Sequence, residues 1–240
     1  MIDITKIDSI KITEFDLEMC SELKADILSA IEGHNLLAIG ESHGVKENAN
    51  IYYYFFKEFG FNTIALEYPL NIQSALIHFI DKNVLSDSLV NRPVGDGRFN
   101  LEYLALLKRL HKERMLKNLF CFDSATSTKT WNERDALYAE NFLNKYNPKN
   151  KTLLIAGNWH TKKEPFTSEY EPGELVPMCK ILSDKIGDFP EIKIVYHSGS
   201  LYNFEIKRLD SGEIFEDHLE KINNMNYLLH VKTATPITLW

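Results

Sequence analysis

Five short apolar runs, separated by longer stretches with helical spacing, constrain the fold of this chain more than any other feature. Residues 36–40, 62–67, 119–123, 152–156 and 192–196 are each bounded by turn residues and have the length of buried strands. Between and around them, residues 50–59, 72–80, 101–115, 131–146 and 176–186 carry apolar positions at helical spacing. Strands alternating with helices pair in parallel and take the helices on both faces, so the expected class is α/β with a mostly parallel sheet. Residues 192–198 and 201–209 flank Gly199-Ser200 and predict a C-terminal antiparallel hairpin at one edge, with residues 227–231 as the last strand. Thr130 and Glu133 have capping-box spacing before Trp131, and Ala136, Ala139, Leu143 and Tyr146 then read as the buried stripe of that helix.

At 240 residues the chain is expected to form a single domain spanning 1–240. Apolar residues at 44% and charged residues at 25% leave room for a core and argue against disorder. A net charge of -7, with Lys and Arg scattered, offers no basic face and excludes nucleic acid as the expected partner. Cys20, Cys121 and Cys179 are far apart and lack Cys-x-x-Cys spacing, so neither a disulfide framework nor a zinc knuckle is indicated. The start has no basic segment leading into an apolar stretch, and no window approaches the roughly 20 apolar residues that cross a bilayer. No membrane partner is expected, and the simplest location is cytoplasmic.

In an open α/β sheet, ligands bind beyond the carboxyl ends of the strands. The polar residues of this chain collect there: Glu41 and His43 follow the first strand, Glu67 the second, Asp123 the third, and Asn158 and His160 the fourth. A carboxylate at the end of an apolar strand either pairs with a donor or gains proton affinity. A histidine there can take a proton from water near neutral pH, and a carboxylate beside it holds the ring; Glu41, Glu67 and His160 are placed to do this for His43. One such residue is more often a cap than a catalyst, whereas four strand ends carrying Glu, His, Glu and His favour a shared site.

Other residues read two ways. Arg92 and Arg98, in a Gly-containing loop over 90–100, suit either a clamp on a carboxylate or phosphate or plain exposed charge. Arg134, Tyr138 and Asn141 share one helix face that points into the cleft or into solvent. The loops over 90–100 and 161–177 are long enough to cover a site. Ser42 lacks the Gly-x-Ser-x-Gly elbow, and Cys121 falls inside a strand, so water is preferred to a covalent nucleophile. Two histidines and two glutamates also suit a divalent metal, although no short ligand motif is present. His34, His78, His111, His197, His218 and His230 show no spacing that suggests ligands.

Four segments in order resemble the erythromycin esterase superfamily, which includes the ChaN-like haem-binding uptake proteins and the Tiki and TraB proteases. Leu37-Ala38-Ile39-Gly40-Glu41-Ser42-His43-Gly44 is similar to its opening Gly-Glu-x-His segment, and Ile64-Ala65-Leu66-Glu67 to its second-strand glutamate. Glu133-Arg134-Asp135-Ala136-Leu137-Tyr138-Ala139-Glu140-Asn141 is similar to its Arg-Asp-x-x-Met-Ala-x-Asn helix, with Tyr138 in place of Met. Ile155-Ala156-Gly157-Asn158-Trp159-His160 resembles the late strand whose histidine faces the opening one. The resemblance covers residues 36–204.

The resemblance implies a hydrolase that adds water to an ester or amide bond of a small-molecule or peptide substrate. His43 would be the general base, Glu41 would position or charge it, Glu67 and His160 would complete the site, and Arg134 would support it. Arg92, Arg98, Asp123, Asn158 and Tyr68 are the remaining candidates for substrate contact. The opening motif is one residue shorter than Gly-Glu-Ala-Thr-His-Gly of the macrolide esterases, and Ile51-Tyr52-Tyr53-Tyr54-Phe55-Phe56 lacks the basic residue their following helix carries. Both departures favour a smaller or peptide-like substrate. That reading requires no cofactor. The resemblance also admits haem, with Tyr52, Tyr53, Tyr54 and Tyr68 as competent ligands, or a metal-dependent peptidase of the Tiki type. The oligomeric state is left open.

Overall fold

The computed structural model describes residues 2–17, 19–124, 130–213 and 215–240. Among them the chain runs through α1 (Ile4–Ser9), α2 (Ser21–His34), β1 (Leu36–Glu41), α3 (Glu47–Phe59), β2 (Thr63–Pro69), α4 (Gln73–Lys82), α5 (Asp87–Val90) and α6 (Leu101–Lys112). It continues through β3 (Asn118–Asp123), α7 (Trp131–Leu143), β4 (Thr152–Gly157), β5 (Phe166–Thr167), β6 (Glu174–Leu175) and α8 (Met178–Ile186). The last elements are β7 (Glu191–Asn203), β8 (Glu205–Asp210), β9 (His218–Lys221) and β10 (Asn226–Ala234).

The five predicted strands are β1, β2, β3, β4 and the first part of β7, and they join β10 and β9 in the order β3-β2-β4-β1-β7-β10-β9. All pairings from β3 to β10 are parallel, and β9 closes the edge against β10 in antiparallel register. The fold is therefore the mostly parallel α/β sheet that the alternation of elements implied.

Strand periodicity divides the core between the two faces. Leu37, Ile39, Ile64, Leu66, Leu153 and Ile155 pack with α1 to α6, whereas Leu36, Ala38, Ala65, Leu154 and Ala156 pack with Tyr138, Ala139 and Phe142 of α7 and Cys179 and Leu182 of α8. Every residue of β1 and β4 is buried, as expected of strands covered on both sides. The α7 capping box forms as its sequence predicts: Glu133 N donates to Thr130 Oγ1 at 3.2 Å and Thr130 N to Glu133 Oε2 at 3.2 Å.

Two local expectations are corrected. The turn of the β7–β8 hairpin is at Phe204, which adopts a left-handed φ of 59°, and not at Gly199-Ser200. Gly199 lies inside β7, between Leu209 of β8 and Ala234 of β10. It has a φ of +92°, and an added Cβ would run into the Ala234 carbonyl. β7 is thus one 13-residue strand that pairs with β10 as far as Gly199 and with β8 from Ser198 onward, and its distal end reaches the turn after β1, where Tyr202 N donates to Gly44 O at 3.0 Å. In α7, Asp135, Tyr138, Ala139 and Phe142 are buried, and Leu143 and, just beyond the helix end, Tyr146 pack against the same core as expected, while Ala136 is exposed; the buried face therefore reaches Asp135 and Tyr138 and leaves Ala136 outside it.

Candidate active site

Glu41 ends β1 on the face that Leu37 and Ile39 present to α3 and α6, because side chains two apart in a strand share a face. Its carboxylate is 3% exposed and accepts from the hydroxyls of Tyr52 on α3 and Tyr103 on α6. The other carboxylate oxygen lies 2.6 Å from His43 Nδ1. Burial, followed by the charge of Glu41, pushes both tyrosines well above their ordinary pKa, so they remain donors. An ionised carboxylate only accepts, so His43 keeps its proton on Nδ1 and turns the Nε2 lone pair outward. Burial alone would lower the His43 pKa, but the Glu41 hydrogen bond and the charges of Glu41 and Glu67 raise it above 6.5.

Glu67, at the end of β2, occupies the centre. It accepts from Gly157 N at 2.8 Å and from Arg98 Nη1 at 2.5 Å. Burial opposes its ionisation, yet the charges of Arg98, His160 and His43 and the Gly157 amide hold its pKa far below the ordinary carboxylate value. His43 Nε2 is 3.7 Å from one Glu67 oxygen, and His160 Nε2 is 3.4 Å from the other. Arg98 comes from the 90–100 loop, where Asp96 grips its Nε at 2.9 Å and Nη2 at 2.6 Å. Tyr68, itself buried, donates to the Arg98 carbonyl at 2.9 Å and so fastens this loop.

The turn after β4 delivers Asn158 and His160. His160 Nδ1 lies 2.8 and 3.0 Å from the two oxygens of Asp135 on α7, which also accepts from Met178 N at 2.8 Å. Trp131 stacks on the imidazole with centroids 4.6 Å apart and planes 3° from parallel. Two carboxylate-backed imidazoles, Glu41–His43 and Asp135–His160, therefore turn their Nε2 atoms toward one buried Glu67–Arg98 pair. Gly157 lies between them, and a Cβ there would sit 3.1 Å from His43 Nε2.

A cavity of about 360 Å³ opens on this group, walled by His43, Trp131, Arg134, Asn158, Trp159 and His160 and roofed by Leu201 and Asn203 of the hairpin. Arg92, Asp123 and Tyr68 line a neighbouring cavity of about 570 Å³, which shares Arg98 and Arg134 with the first. A larger cleft of about 680 Å³, around Lys162 and Lys193, contains none of the strand-end residues. Cys121 is buried, and burial pushes its thiol up to about 12, which makes it a poor nucleophile.

Sequence reasoning assigned no role to Asp135, Asp96 or Tyr103, which hold site residues in place, or to Trp131, which walls the cavity and stacks on His160. The Tyr52, Tyr53 and Tyr54 hydroxyls are engaged by Glu41, Glu113 and the Leu17 carbonyl. With Tyr68 engaged as well, these tyrosines do not fit a haem. Among the described residues, no group of three His, Cys, Asp or Glu side chains is arranged to hold a metal ion. His197, His218 and His230, unrelated in sequence spacing, stack together on β7, β9 and β10, away from this site.

No helix among the described residues is long and apolar enough to cross a membrane. No family model matches the sequence, and no curated protein matches it. Solved structures do match the fold. A variant of the erythromycin esterase EreC in its open conformation is 13% identical with a TM-score of 0.65, over 92% of this chain and 96% of that one. A protein from Bacillus cereus is 10% identical with a TM-score of 0.66, over the whole of both chains. The chain has the fold of the erythromycin esterase, as the resemblance of its four motifs implied.

Proposed function

We propose that the protein is a hydrolase that adds water to an ester or amide bond of a small-molecule or peptide substrate, with His43 as general base. The observation that supports this most is the Glu41–His43 pair, whose Nε2 faces a cavity beside a buried, already satisfied Glu67–Arg98 pair. Glu41 fixes the tautomer and stabilises the imidazolium that forms. Water in the cavity gives its proton to His43 Nε2 as its oxygen attacks the carbonyl carbon. The tetrahedral intermediate collapses when the leaving oxygen or nitrogen takes that proton, and the free base is restored. Glu67, held ionised, favours the protonated state of His43 between these steps.

The fold of the erythromycin esterase EreC supports the same reaction class. The test is turnover of a panel of esters and small amides by the purified protein and by His43→Ala. Loss of turnover with unchanged circular dichroism is expected; wild-type rates in the variant would remove the reading.

A further inference from the structure

The second cavity is lined by two arginines whose guanidiniums have no hydrogen-bond acceptor among the described residues. The guanidinium of Arg92 is half-buried over the face of Phe99, 5.6 Å from its centroid, and makes neither a side-chain hydrogen bond nor an ion pair among the described residues. The Nε of Arg134 is buried with no hydrogen-bond partner, and its guanidinium stacks on Trp131 at 4.4 Å. Asp135 lies 4.0 Å from that Nε, beyond hydrogen-bond reach, and already serves His160 and Met178 N. The third arginine is different: Arg98 is consumed by Glu67 and Asp96. A partly desolvated guanidinium without a partner costs stability, and folded chains retain such groups where a ligand supplies the missing charge.

The remaining acid in this cavity does not cancel the two arginines. Asp123 stands 4.0 Å from Arg98 and also acts on Arg92 and Arg134, so one carboxylate is shared among three guanidiniums. The floor and walls are otherwise Tyr68, Pro69, Pro93, Val94, Phe99 and Tyr138, with Phe204 at the hairpin tip. Arg134 borders both cavities, so a group held there lies next to the space in front of His43.

We propose that this cavity is an anion subsite in which Arg92 and Arg134 bind a carboxylate or phosphate group carried by the substrate. The inference deepens the hydrolase reading and rests on it for the bound group being a substrate, while the subsite itself stands on two guanidiniums without a hydrogen-bond acceptor. The substrate class is then an ester or amide with an acidic group beyond the bond that is cut. Arginine suits this task because its planar donors match the oxygens of a carboxylate or phosphate.

The test compares 4-nitrophenyl acetate with mono-4-nitrophenyl glutarate, which carries a free carboxylate, after correction for their uncatalysed rates. The ratio of kcat/KM, glutarate over acetate, is expected to fall roughly tenfold or more in Arg92→Gln and in Arg134→Gln, the size of a lost charge-assisted hydrogen bond. It is expected to hold in the surface control Lys149→Gln, which changes net charge equally. Calorimetric binding of glutarate and inorganic phosphate provides a readout independent of turnover, with Arg92→Lys retaining part of it. If neither ester is cleaved but both anions bind and Arg92→Gln removes the binding, the subsite holds and the hydrolase reading fails. An unchanged ratio in both arginine variants, or, where no ester is cleaved, no saturable binding of either anion, overturns the subsite.

Discussion

Replacing Glu41 by Gln tests how the site sets its base. The carboxylate has three buried donors: His43 Nδ1 on one oxygen, and the Tyr52 and Tyr103 hydroxyls on the other. An amide has one oxygen, so either His43 or the two tyrosines must face an NH2 group. Leaving a buried donor unsatisfied costs about 1–3 kcal/mol, which chemical denaturation will read as a lower midpoint. The larger effect is on titration. Without Glu41, the influences remaining on His43 are burial and Arg98, which lower its pKa, against Glu67, which raises it. The pKa is therefore expected to cross from above 6.5 to below it.

Since His43 must be neutral to act as a base, the acidic limb of the kcat/KM profile lies above pH 6.5 in the wild type and below it in Glu41→Gln. The variant is protonated over a narrower range, but it is a weaker base and its ring is less well oriented. The plateau is expected to fall roughly 10²-fold or more. Proton NMR of the His43 ring measures the same titration without substrate. A limb that stays in place, or moves upward, refutes the role assigned to Glu41. In the wild type the raised pKa contributes stability that is fully present below 6.5 and is lost as pH rises through the folded value.

Gly157→Ala places a methyl 3.1 Å from His43 Nε2, in the space a water must enter, and is expected to lower kcat/KM roughly 10²-fold with little change in melting temperature; equal activity would show that the reacting water lies elsewhere. Glu67→Gln weakens the partnership of Arg98, leaving Asp96, and is expected to cost up to about 3 kcal/mol near neutral pH in urea unfolding. The depressed Glu67 pKa makes that contribution complete above 4.5 and erodes it as pH falls toward the folded value, so the gap between wild type and variant should narrow only below pH 4.5.

The sheet was legible because buried strands of an α/β fold announce themselves as short apolar runs, and the reactive residues because they interrupt those runs at one end. What joins them was harder to read. Asp135 lies in a helix whose buried face the sequence places on Ala136, Ala139, Leu143 and Tyr146; the last three do meet the core, but the face extends to Asp135, Tyr138 and Phe142 instead of Ala136, and that shift turns the carboxylate to His160. An acid followed at i+3, i+4 and i+7 by Tyr138, Ala139 and Phe142 was the available signal. Tyr52 and Tyr103 were hidden for the opposite reason, since a tyrosine at a core position reads as packing until the strand end beside it contains a carboxylate. The hairpin turn was misplaced because glycine marks both turns and close backbone approach, and Gly199 serves the latter.

The two imidazoles look equivalent in sequence and are not equivalent in the fold. His160 is closed in on both sides, by Trp131 at 4.6 Å and Tyr138 at 5.3 Å, and its Nδ1 is held by an Asp that is fully buried. His43 has 13% of its side chain exposed against 6% for His160, and Gly157 keeps the space beside its Nε2 clear. A base must exchange its proton with water, whereas a ring fixed on three sides is suited to holding charge in place. Under the hydrolase reading this asymmetry assigns proton transfer to His43 and leaves His160 to orient Glu67. Strand order is what brings the two rings together: β1 and β4 are neighbours in parallel register, with Glu41 opposite Gly157, so His43 and the turn carrying His160 are forced to the same edge. β2, on the far side of β4, then brings Glu67 in between them.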